Sequence, residues 1–76
     1  MGESDQDHYS VVFTPEGEWV VVRVEGVGET RLRPQVPGQV TGAELAHINT
    51  AARRLIDESR ADAHLSGDYK VQVEQA

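Results

Sequence analysis

Residues 41–60, Thr41-Gly42-Ala43-Glu44-Leu45-Ala46-His47-Ile48-Asn49-Thr50-Ala51-Ala52-Arg53-Arg54-Leu55-Ile56-Asp57-Glu58-Ser59-Arg60, decide how this chain folds. Thr41 and Glu44 stand at the spacing of a capping box: the Thr41 hydroxyl accepts from the Glu44 amide while the Glu44 carboxylate reaches back to the Thr41 amide. A helix is expected to start there. Leu45, Ile48, Ala52, Leu55 and Ile56 then fall on one stripe of a 3.6-residue period, with Glu44, His47, Arg54, Asp57 and Glu58 opposite. Arg53 with Asp57 and Arg54 with Glu58 are i,i+4 pairs in the weaker order, cation first, worth about 0.2 kcal/mol each. They read as a solvated face. A single amphipathic helix needs an apolar surface to cover, so the remaining sequence is expected to form a sheet.

Working outward toward the N-terminus, Tyr9-Ser10-Val11-Val12-Phe13 alternates and reads as a first strand, with Tyr9, Val11 and Phe13 on one face. Thr14-Pro15-Glu16-Gly17 suits a type I turn closed by a left-handed glycine. The stretch 18–25, Glu18-Trp19-Val20-Val21-Val22-Arg23-Val24-Glu25, is the strongest strand signal. Val20, Val22 and Val24 make an apolar face, and Trp19, Val21, Arg23 and Glu25 a mixed one. Gly26-Val27-Gly28-Glu29 turns the chain into a short third strand, Thr30 to Arg33, which Pro34 ends because it lacks an amide proton. Arg31 and Arg33 there read as charged protection of a sheet edge. Residues 34–40 lead to the helix cap.

Beyond the helix, Ser66-Gly67-Asp68 turns the chain into Tyr69-Lys70-Val71-Gln72-Val73-Glu74, a cleanly alternating last strand. The expected fold class is therefore α+β, with element order β-β-β-α-β and a four-stranded, mostly antiparallel sheet. The last strand runs parallel to the first, and the more apolar first strand belongs inside, which gives the strand order 3-2-1-4 with the helix across one face.

With 76 residues the chain makes one domain, and a domain of this size buries only about 60% of its unfolded surface. The first eight residues, with Glu3, Asp5 and Asp7, read as a disordered acidic tail, and residues 9–76 as the folded domain. Of the formal charge of −6, residues 9–76 carry 10 acidic and 7 basic side chains, and Lys70 is the single lysine, so direct nucleic-acid binding is disfavoured. There is no cysteine, no apolar run long enough for a membrane span and no leader-like segment, so the expectation is a soluble, cytoplasmic protein without disulfides or a sulfur-ligated metal.

The strand and helix order, together with particular residues, resembles the HicB-like antitoxin domain, a partial ribonuclease-H-like fold. The residues are Tyr9 to Phe13, Gly17-Glu18-Trp19-Val20, Val24-Glu25-Gly26-Val27-Gly28, Leu45, Ala51-Ala52-Arg53-Arg54-Leu55-Ile56 and Asp68-Tyr69-Lys70-Val71-Gln72-Val73. The family usually has a proline after its second strand, where this chain has Glu25 to Gly28, and a shorter loop before the helix. The resemblance implies a non-catalytic protein-binding domain that neutralises a small ribonuclease toxin of the HicA type. Many full antitoxins add a C-terminal DNA-binding module; none follows Ala76, so operator binding is expected to be absent or encoded elsewhere.

No residue pattern argues for catalysis. The first strand has no acidic residue within Tyr9 to Phe13, where a ribonuclease-H-type metal ligand belongs. His8, His47 and His64 lack metal-ligand spacing and read as surface histidines. Ser10, Ser59 and Ser66 sit in no nucleophile elbow, and Gly26 and Gly28 are explained by turn chemistry. No cofactor is expected. Trp19 carries two readings. In the first it covers the hairpin end and is partly buried by its own neighbours. In the second, Val12, Trp19 and Val21 share the face turned away from the helix as an apolar patch flanked by Arg23, Arg31 and Arg33, a composition found at protein interfaces. A homodimer burying that face would add stability to so small a domain. A self-associating phage or accessory structural protein with no toxin partner is the alternative.

Overall fold

A computed structural model describes residues 7–76. The elements are β1 (Asp7–Glu16), β2 (Trp19–Val24), β3 (Gly28–Leu32), α1 (Gly42–Asp62) and β4 (Tyr69–Gln75). The sheet order is β3-β2-β1-β4, antiparallel except for the parallel β1–β4 pair, with the helix on one face. This is the α+β arrangement that the strand patterns and the single helical stripe require.

β1 is longer than its alternation suggests. It continues through Pro15 to Glu16, and the hairpin closes on the two residues Gly17 and Glu18, with Glu16 opposite Trp19. Gly17 has φ 63° and Glu18 is not left-handed, the pattern of a II′ turn, whose twist matches that of the strands. Pro15 is tolerated because β4 reaches only to the Phe13–Gln75 pair, which leaves that end of β1 with one strand neighbour. At its other end β1 begins at Asp7. Asp7 and His8 pair with Tyr69 and Lys70, so two residues assigned to the acidic tail belong to the sheet; residues 1–6 of that tail lie outside the described residues. The β2–β3 connection is a type II turn, Val24-Glu25-Gly26-Val27, in which the Val27 amide donates to the Val24 carbonyl at 3.0 Å and Gly26 takes φ 78°.

The core consists of Val11 and Phe13 from β1, Val20, Val22 and Val24 from β2, and Ile48, Ala52 and Ile56 from α1. Burying each larger aliphatic side chain contributes about 1.5–3 kcal/mol, so these few residues carry most of the hydrophobic stabilisation. On α1 the buried row is Glu44, Ile48, Ala52, Ile56 and Arg60, each four residues from the next. That differs from the expected stripe at three places. Leu45 is 42% exposed and Leu55 only half-buried, while Glu44, expected on the solvated side, is 2% exposed. The helix is rolled so that an i+4 ridge, rather than the full apolar stripe, meets the valines of β2.

Both polar ends of the ridge are satisfied. The Glu44 amide donates to Thr41 Oγ1, the Thr41 amide donates to Glu44 Oε1 at 3.3 Å, and the Thr41 hydroxyl contacts the same oxygen. The Gln35 amide donates to Glu44 Oε2 at 3.3 Å, so one carboxylate closes the capping box and ties down the preceding loop. These bonds, with the Thr41 hydroxyl first, hold its pKa below the ordinary carboxylate value. At the other end Arg60 Nη1 donates to Asp7 Oδ2 at 2.5 Å and to the Tyr9 hydroxyl at 3.2 Å, and Nη2 donates to the carbonyls of Ser66 at 3.0 Å and Gly67 at 3.3 Å. Its guanidinium lies 5.1 Å from the centre of the Tyr69 ring, and Tyr69 meets Tyr9 edge to face. Asp7, and then Tyr9, raise the Arg60 pKa and hold the cation in place.

The helix ends in a Schellman motif. The Leu65 amide donates to the Arg60 carbonyl at 2.8 Å and the His64 amide to the Ala61 carbonyl at 3.1 Å, with His64 at φ 57° where glycine is usual.

Candidate functional site

Strand alternation sends Val20, Val22 and Val24 toward the helix and therefore Trp19, Val21 and Arg23 to the opposite face. The same alternation puts Val12 of β1 and Arg31 of β3 on that outer face, and Arg33, just past β3, beside Trp19. The structure thus brings all six residues expected to form a partner-binding patch, Val12, Trp19, Val21, Arg23, Arg31 and Arg33, onto one side of the sheet. No helix among the described residues covers it.

Its make-up differs from an open apolar surface. Two guanidinium groups lie over the Trp19 ring, Arg31 at 4.9 Å and Arg33 at 4.8 Å from its centre. Trp19 is half-buried beneath these arginines, an arrangement worth about 0.5–1 kcal/mol per contact at an exposed site. Arg33 also approaches Glu18 at 3.8 Å, but both side chains are more than 60% exposed, so this ion pair contributes little. Val12 lies opposite Arg23 on one side and Glu74 on the other, and Val21 lies between Thr14 and Arg31. Both valines are half-buried, and the large exposed hydrophobics are elsewhere: Val36, Leu45 and Leu65. The outer face is a charged surface with a preassembled Arg-Trp-Arg cluster at one end and two valines near its middle.

A second feature escaped the strand and helix patterns. Between α1 and β3 runs an open groove of about 490 Å³, lined by Thr30, Leu32, His47, Ala51, Arg54 and Leu55, among others. It exists because Leu55 is rolled off the core row toward β3, a rotation that helical periodicity alone does not specify. His47 in its lining is exposed, and no group of three or more potential metal-ligating side chains occurs among the described residues. His8, on β1, and His64, in the helix C-terminal turn, are likewise exposed.

Tyr69 occupies the junction of α1 and β4, where its hydroxyl donates to Asp57 Oδ1 at 2.6 Å and Arg53 lies 5.3 Å from its ring centre. Burial, followed by the bond to Asp57, raises its pKa and keeps the phenol protonated. This group fastens the last strand to the helix. No helix among the described residues is long and apolar enough to cross a membrane. No protein-family model, curated protein or solved structure matches the chain.

Proposed function

We propose that this chain is a non-catalytic protein-binding domain of HicB-like type, whose partner is a small basic ribonuclease that it neutralises. The supporting observation is the uncovered outer face of the sheet, on which Trp19 is held between Arg31 and Arg33. Trp and Arg are enriched among residues that dominate binding energy, and a side chain already fixed by its neighbours loses little rotamer freedom on docking. The excess of acidic over basic residues steers a basic partner toward the domain, so the association rate falls as salt is raised. The fold order and the residues that carry the family resemblance supply the class of partner.

The test is purification of the tagged chain from its native host beside the Trp19→Ala variant. A small basic ribonuclease is expected with the unaltered chain and depleted at least about tenfold with the variant, and its RNA cleavage is expected to reappear once the chain is removed. Recovery of no ribonuclease with either would overturn the reading. The alternative, a self-associating accessory protein without a toxin partner, predicts that outcome.

A further inference from the structure

The two edges of the sheet are built differently. β3 is five residues long, carries Glu29 and Arg31 outward, and runs into Arg33 and Pro34, all features that discourage strand addition. β4 is seven residues long and regular, and no strand lies beyond it among the described residues. Its inward residues Tyr69, Val71 and Val73 are only half-buried, and Val73 lies beside Val11, which is buried, so the apolar layer thins from β1 toward this edge.

We propose that β4 is the interface between two copies of this chain, joined as antiparallel strands about a two-fold axis at Gln72. Charge complementarity selects the occupant and the register. With Gln72 opposite itself, all seven residues of β4 pair, Lys70 faces Glu74 of the second copy, and Val71 faces its Val73, each pair occurring twice. Every other symmetric register is worse. Centring on Lys70 or Glu74 sets like charges opposite each other, while centring on Val71 or Val73 shortens the ladder and leaves no Lys–Glu pair. An antiparallel two-fold pairing keeps both helices on the same side and forms one eight-stranded sheet. Trp19, on β2, stays outside the junction. The dimer is independent of the ribonuclease reading, since it leaves the outer face of each copy free.

Sedimentation from micromolar to near-millimolar concentration tests this on the full chain. The unaltered protein is expected to be a reversible dimer, with the emission of Trp19, its one tryptophan, unchanged on dilution. Lys70→Glu and Glu74→Lys each convert two attractive pairs into two repulsive ones and are expected to weaken the dimer at least about tenfold, while the double charge swap restores it. Circular dichroism of each variant distinguishes weakened association from unfolding. Because the chain has no cysteine, Gln72→Cys reports the register directly by oxidative cross-linking, and Thr30→Cys does the same for a junction at β3. A monomer throughout, a dimer that cross-links through Thr30→Cys and not Gln72→Cys, or a dimer whose formation changes Trp19 emission would each overturn the proposal.

Discussion

His64 shows how one residue can hold conformational strain that its neighbours impose. The Schellman bonds from Leu65 to Arg60 and from His64 to Ala61 require a left-handed residue between them, and His64 takes φ 57° with a Cβ that glycine would not have. The side chain is exposed, so its removal leaves no cavity. His64→Gly is therefore expected to stabilise the domain by about 0.5–1 kcal/mol, raising Tm by roughly 2–8 °C in a thermal melt followed by circular dichroism. A lower Tm would mean that the imidazole makes an interaction outweighing the backbone strain. Trp19 is the other residue whose surroundings matter more than its type: in sequence it is an aromatic on a mixed face, and in the fold it lies beneath two arginines.

At the scale of the element, α1 is held at its start by a carboxylate that accepts from the Thr41 and Gln35 amides. The pKa of Glu44 is lower folded than unfolded, chiefly because of the Thr41 hydroxyl, so its contribution is complete above the unfolded carboxylate pKa and is lost as pH falls through the folded one. Glu44→Gln is expected to lower Tm at pH 7, and the gap to the unaltered protein should narrow as pH drops below about 4.3, the ordinary glutamate value. Thermal melts between neutral and strongly acidic pH measure this; a gap that stays constant with pH would mean that the charge is not what the cap uses. The capping box was legible in sequence because it depends on local spacing. The burial of Glu44 was not, because it arises from residues 33–40 folding back over the helix start.

For the whole molecule, Arg60 joins parts of the chain that are distant in sequence: the start of β1 at Asp7 and Tyr9, the loop at Ser66 and Gly67, and the Tyr69 ring at the start of β4. A cation in the last turn of a helix is also favoured by the helix dipole. Arg60→Ala is expected to lower Tm by several degrees. It should also speed amide exchange at the start of β1 and in β4 more than in β2, since the β2 valines pack on Ile48, Ala52 and Ile56 without its help. Uniform acceleration over all four strands would show that Arg60 supports global stability alone.

Alternation in strands of 5–10 residues and one capped helix were enough to derive the element order and the sheet order β3-β2-β1-β4, because each rests on local periodicity and short connections. The shared outer face of Val12, Trp19, Val21, Arg23, Arg31 and Arg33 follows from the same alternation. What only the tertiary structure decided was the roll of α1, and with it the exposure of Leu45, the groove beside Leu55 and the two buried polar ends at Glu44 and Arg60. Periodicity sorts side chains by polarity around an axis. Which angle of that axis meets the sheet depends on how the valines of β2 accept an i+4 ridge, and on loop amides and carboxylates that reach the helix from far along the chain.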